Sequence, residues 1–165
     1  MTTTTKTSID SYLTFKLGEE EFAANVSTVL NILELTKITK VPKAPPYMKG
    51  VINLRGEVLP VVDTRIKFGM DATEFNNNTC ILVLDIELNG EQIKVGSLVD
   101  SVQEVLEIEN ETIQPPPSIG DRYKSEFISG MFLSGEDFIM LLDMVKIFSF
   151  EELEEIRNST ATAKI

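Results

Sequence analysis

Twenty-six carboxylates and a complete lack of histidine bound the chemistry open to this chain of 165 residues. Without an imidazole, Ser-His-Asp and Cys-His catalysis, the usual general base near neutral pH and every His-ligated metal site are excluded. Carboxylate chemistry remains. Asp63 follows the apolar pair Val61-Val62 and Asp143 follows Leu141-Leu142, and two such carboxylates are what a glycosidase or an aspartic protease employs. The plainer account is that each aspartate bonds into the turn that follows it. That account is preferred because no other catalytic group lies nearby, and it extends to Asp85 and Asp100. Cys80, the lone cysteine, sits in the apolar run Thr79 to Leu84 and reads as a small packed hydrophobe; no intramolecular disulfide can form. With no phosphate-cradling glycine loop either, the chain reads as a non-enzyme without cofactor or metal.

Two features suit binding instead. Arg55 stands in a turn, Asn53-Leu54-Arg55-Gly56, of a protein with 15 basic residues against 26 acidic ones. It reads either as a recognition cation or as a solvated or salt-bridged turn residue. Val26, Val29 and Ile32 form an apolar stripe, readable as core or as contact surface. The net charge of −11 opposes a sequence-independent nucleic-acid binder and an anionic membrane surface. No stretch approaches 18 apolar residues, and the Thr-rich start has no hydrophobic signal region, so a soluble cytoplasmic protein is expected.

Short strands must carry these residues. Tyr12 to Leu17, Gly18-Glu19-Glu20 and Glu21 to Ala24 read as a hairpin, and Val51 to Asp63 reads as another around Arg55-Gly56-Glu57. Thr79 to Leu88, Asn89-Gly90 and Glu91 to Val99 carry the strongest short-range hairpin signal. Phe127 to Phe132 and Phe138 to Leu142 flank a fourth turn. Helical spacing is confined to Val26, Val29, Leu30 and Leu33, enough for one or two turns, and to an acidic helix from Ser149, its N-cap, to Arg157. The glutamates of that helix read as a solvated face.

The sequence also repeats. At an offset of about 80, Gly50-Val51 falls on Gly130-Met131, Val58 on Phe138, Asp63 on Asp143 and Phe68 on Phe148. At a shorter offset, Gly18-Glu19 falls on the Asn89-Gly90 hairpin, and Val29, Ile32 and Leu35 fall on Val102, Val105 and Ile108. The expectation is two similar antiparallel β lobes, approximately 11–75 and 76–150, with strand exchange allowed, between flexible tails at 1–10 and 158–165. Lobes that small bury too little alone and should share a core.

The series Gly50-Val51-Ile52-Asn53-Leu54-Arg55-Gly56, then Val58-Leu59-Pro60-Val61-Val62-Asp63 and Arg65, resembles the signature of the CheW family of chemotaxis coupling proteins. Leu98 to Val102 with Glu104-Val105, Ser129-Gly130 and the Leu142-Asp143 to Ile147 ending extend the resemblance from about Ser11 to Glu155. It implies a mainly β fold: two small SH3-like five-stranded antiparallel barrels around a common core, with short helices and a C-terminal helix. It further implies a non-catalytic adaptor, a monomer in isolation, that joins cytoplasmic chemoreceptor tips to the regulatory domain of the CheA histidine kinase in arrays at the inner face of the membrane, without membrane insertion.

By position, Val26, Val29, Arg55, Val95 and Val105 match family positions at a receptor-facing groove between the lobes, and Lys49 and Gly50 match positions that affect kinase coupling. Where the family often carries a glutamate beside this groove, two residues after Val29, the chain has Asn31, which puts any receptor salt bridge at that point in doubt. A CheW-like scaffold in a non-chemotaxis receptor-kinase pathway, such as surface motility, is the alternative.

Overall fold

The computed structural model describes residues 8–116 and 127–163. Asn89 and Gly90 both take positive φ, 52° and 81°, as a two-residue primed turn requires, and join β6 (Cys80–Leu88) to β7 (Glu91–Val99) in an uninterrupted ladder. Arg55 and Gly56, at 51° and 87°, close the same kind of turn between β4 (Met48–Leu54) and β5 (Glu57–Asp63). The first hairpin is β1 (Ile9–Leu17) with β2 (Glu20–Asn25), and the last is β9 (Ile128–Ser134) with β10 (Asp137–Leu142). All four expected hairpins are present.

Two single strands complete the set, β3 (Val29–Glu34) and β8 (Ser101–Glu109). Among the described residues ten strands form two five-stranded sheets, ordered β8-β1-β2-β10-β9 and β3-β6-β7-β5-β4. The expected repeat is written into this order: pairing β1 with β6, β2 with β7, β3 with β8, β4 with β9 and β5 with β10 turns one sheet into the other. The sheets do not follow the sequence halves 11–75 and 76–150, because each half lends its first hairpin to the sheet of the other. Pairing is antiparallel except where the second strand of each lent hairpin meets its host, β2 beside β10 and β7 beside β5.

Exchange explains why β6 and β1 are so apolar. Along β6, Ile81 and Val83 face a core private to their sheet, whereas Leu82, Leu84 and Ile86 face a second core that also takes Leu13, Phe15 and Leu17 of β1. A strand covered on both faces reads as a continuous hydrophobic run. The shared core is closed by Met144, Phe148, Leu153 and Ile156, the last two from the C-terminal helix α2 (Phe150–Ala163). Ser149 caps that helix as expected: its Oγ accepts from the Glu152 amide at 3.1 Å while Glu152 Oε1 accepts from the Ser149 amide at 2.9 Å.

Three expectations need correction. The segment from Val26 to Leu33 is not a helix beyond the single 3₁₀ turn Val26–Thr28; Val29 to Glu34 is β3, because its β-branched residues suit a pleated edge and its ladder partner β6 is at hand. The helix α2 runs on into the expected tail through 158–163, with no glycine or proline to stop it. At the other end, Ile9 and Asp10 already pair with β8; the rest of the expected N-terminal tail, 1–7, lies outside the described residues.

Candidate functional site

The two aspartates that suggested catalysis serve structure. Asp63, fully buried, accepts from the amides of Arg65 and Thr73 at 3.1 and 2.9 Å and from Thr73 Oγ1 at 2.7 Å. It thereby caps the short helix α1 (Thr64–Lys67) and pins the loop that follows. Asp143, at the matching place in the repeat, accepts from the amides of Val145 and Lys146 at 3.1 and 3.3 Å. Asp100 is ion-paired with Arg65. Among the described residues no three Asp, Glu or Cys side chains gather as a metal site would require.

What the surface offers is an apolar groove of about 310 Å³, lined by Leu13, Val26, Val29, Leu30, Asn31, Ile32 and Val105. Its two walls belong to different sheets: β3, an edge of one, and β8, an edge of the other. Leu13 of β1, which pairs with Val105 of β8, joins the lining. The walls are related by the repeat, since Ile32 and Val105 are matching residues and both β3 and β8 carry an irregularity beside them. The buried hydroxyl of Thr14, on β1, spans the irregularity in β8, donating to the Glu104 carbonyl and accepting from the Glu104 amide, both at 3.0 Å.

Four of the six β3 residues, Val29 to Ile32, line the groove, and Ile32 and Val105 are 47% and 56% exposed. Apolar side chains exposed contiguously on an edge mark a surface that a partner covers. Asn31 gives the groove its polar side chain, and no ionised group lines it among the described residues.

The sequence-derived residues therefore separate into three sets. Val26, Val29, Asn31 and Val105 come together in the groove. Lys49, Gly50 and Arg55 lie on β4 or its turn, at the edge of the sheet opposite β3, so Arg55 is not a groove residue. Lys49 holds its ammonium 3.9 Å from Asp63 Oδ2 and 5.7 Å from the centre of the Phe75 ring. Arg55 is exposed, and its guanidinium has no hydrogen bond or ion pair among the described residues. Val95 is fully buried in the shared core opposite Leu84, so it is not available for contact; its side of β7 faces inward.

Leu30 and Leu13 complete the groove without having been singled out for it. The signal was present for Leu30: once the segment is a strand, Leu30 and Ile32 flank Asn31 on an edge. A helical reading scatters the same residues around a cylinder.

A family model described as a CheW-like domain matches residues 11–152. The chain is 33% identical over 147 residues to "Chemotaxis protein CheW" of Klebsiella aerogenes, covering 89% of this chain and 86% of that one. It is 36% identical over 142 residues to the protein of the same name from Rhizobium meliloti, covering 86% and 89%. Among solved structures it is similar to the scaffolding protein TtCheW of Thermoanaerobacter tengcongensis, with a TM-score of 0.76 and 28% identity over 88% of this chain and 91% of that one.

Proposed function

The chain belongs to the CheW-like family, and on that premise we propose that it is an adaptor, not a catalyst, that joins the cytoplasmic tips of chemoreceptors to the regulatory domain of a CheA histidine kinase. The observation that carries this reading is the groove between β3 and β8. A helical receptor tip presents a narrow apolar face, and a groove with apolar walls and one amide is suited to accept it. Binding there would bury Val26, Leu30, Ile32 and Val105, which folding leaves exposed.

Kinase contact belongs elsewhere on the molecule. Lys49, Gly50 and the β4–β5 turn form the far edge of the sheet that holds β3, so a kinase domain seated there leaves the groove free. A scaffold needs such separation to hold two partners at once. The residues described include no helix long and apolar enough to cross a membrane, so the proposal places the protein at the membrane through its receptor.

Calorimetry with the regulatory domain of the kinase from the same organism, followed by reconstitution with receptor and kinase, tests the reading. Association and receptor-dependent kinase activation are expected, the latter lost on Val105→Glu. No association with either partner would sink it.

A further inference from the structure

The groove has walls in different sheets, so whatever fixes the sheets relative to one another also fixes its width. Most of what joins them is the shared core, and apolar burial is non-directional. Among the described residues, directional bonds to both sheets meet at Asp100, apart from those that the C-terminal helix makes through Lys67, Tyr47 and Glu91. This residue lies where the chain leaves β7 of one sheet for β8 of the other.

Its amide donates to the Lys16 carbonyl at 3.0 Å, and its Oδ2 accepts from the Gly18 amide at 2.6 Å, both at the end of the lent β1–β2 hairpin. Its Oδ1 accepts from Arg65 Nε at 2.8 Å and its Oδ2 from Arg65 Nη2, a bidentate pair that ties it to α1 beyond β5. One carboxylate thus binds an element of each sheet at the start of a groove wall. Bidentate arginine pairs fix orientation as well as position.

The repeat supplies a control. The chain crosses between the sheets a second time, from β2 to β3, through the 3₁₀ turn Val26–Thr28. There the side-chain bonds stay with the sheet that holds β2: Asn25 Oδ1 accepts from the Ser27 amide at 2.9 Å, Thr28 Oγ1 donates to the Asn25 carbonyl at 2.8 Å, and the Asn25 side chain meets Tyr12 of β1. The residue that matches Arg65 at an offset of 80 is Val145, which has no charge to offer. One crossover is clamped to both sheets. The other is not, and its Val26 lines the groove.

We propose that Asp100 and Arg65 are positioning residues for the groove: their clasp sets the relative orientation of the two sheets and so holds β3 and β8 at the separation that the groove's ligand needs. The bearing on ligand binding rests on the groove being the receptor site; the effect on the sheets does not.

Spin labels on Glu34→Cys of β3 and Glu107→Cys of β8, in a Cys80→Ser background, report the separation across the groove by pulsed electron resonance. Labels on Glu34→Cys and Glu87→Cys report a distance within one sheet. Asp100→Ala should shift or broaden the first distribution and leave the second unchanged, whereas Arg65→Lys, which keeps a cation, should fall between Asp100→Ala and the parent. Receptor-tip affinity should drop by on the order of tenfold in Asp100→Ala and by less in Arg65→Lys.

An unchanged distance across the groove in folded Asp100→Ala overturns the proposal. If Asp100→Ala does not fold, Arg65→Gln, which keeps the Asp100 bonds to Lys16 and Gly18, decides it by the same distance. Failure of the parent protein to bind a receptor tip, with the distances shifting as described, removes the receptor reading and leaves the clasp standing.

Discussion

A Cβ on Gly50 would meet the carbonyl oxygen of Thr39 at 2.2 Å. The two residues are neighbours because Thr39 and Val51 exchange amide–carbonyl bonds of 2.8 Å in each direction, bringing the chain before β4 back against its edge. The repeat shows the same arrangement: Gln114 and Met131 exchange bonds of 2.9 Å, and a Cβ on Gly130 would meet the Gln114 carbonyl oxygen at 2.9 Å. Gly50 is therefore required by the fold, whatever part the neighbouring surface plays in kinase coupling.

The expected outcome is that Gly50→Ala destabilises by about 1–3 kcal/mol or more, because backbone must move and φ is 151°. Lys49→Ala should cost far less, since its ammonium is only 3.9 Å from Asp63 and partly exposed. Urea melts of both variants beside kinase-domain binding check this. If Gly50→Ala melts like the parent and still loses kinase binding, glycine is read by the partner directly.

The strands and the repeat were legible because turns and apolar alternation are local signals, and Asn89-Gly90 needs no tertiary context to close. The exchange of β1–β2 was not. A hairpin with two apolar faces packs equally well on its own half of the sequence or on the other, and only the joint filling of the shared core by Leu13, Phe15, Leu82 and Leu84 selects one. The groove was half legible: Val26, Val29, Asn31 and Val105 were placed by resemblance, but Val95 looks the same in sequence and is core. Valine alternating along a strand carries no mark of which face the partner will see.

That difference yields a paired prediction. Val95→Glu should abolish folding, because an unpaired carboxylate would enter a site with no solvent access, at a cost of several kcal/mol. Val105→Glu should leave the circular dichroism spectrum and melting temperature close to the parent and remove receptor binding. Loss of fold in Val105→Glu would put that residue in the core and empty the groove of meaning.

Asn31→Glu restores the acidic residue often found at this family position. Among the described residues the groove has no ionised lining group, so an added carboxylate gains only if the native receptor offers a cation, and an exposed pair is worth up to about 1 kcal/mol. Affinity for the native receptor tip should change little or fall. A gain of tenfold or more, measured by titration, would show that the cation is still there.

Acid should weaken the fold through Asp100 and Glu152. Burial pushes both carboxyls up, but Arg65 and the Gly18 amide at Asp100, and Lys67 and Ser149 at Glu152, outweigh it and hold both below their ordinary values of 3.8 and 4.5. A folded-state pKa below the unfolded one gives stability that is present above the unfolded value and lost as pH falls through the folded one. Urea midpoints of Asp100→Asn and Glu152→Gln should therefore lie below the parent at neutral pH and converge with it as pH drops below about 4. A gap that stays constant into acid means that the ion pairs contribute nothing.

The last prediction uses the backbone of Arg55. A non-glycine residue at φ 51° carries a steric cost of about 1–2 kcal/mol that asparagine largely avoids, and asparagine before glycine is the preferred pair for this turn. The turn matching it in the repeat has Gly135 at φ 65° in the position of Arg55. An arginine held in this conformation, exposed and without an intramolecular partner among the described residues, contributes nothing to the fold that a smaller residue would not supply better. Its guanidinium can instead donate paired hydrogen bonds to a carboxylate or to carbonyls of a partner. Arg55→Asn should therefore raise the melting temperature by roughly 2–4 °C while lowering receptor-dependent kinase activation, and Arg55→Ala should leave the melting temperature nearly unchanged with the same loss of activation. Because stability and coupling are expected to move in opposite directions in Arg55→Asn, a melting curve and a reconstituted kinase assay on that one variant are sufficient. A lower melting temperature accompanied by a proportionate loss of activation would make Arg55 a structural residue; a higher one with full activation would mean that its charge is not recognised by either partner.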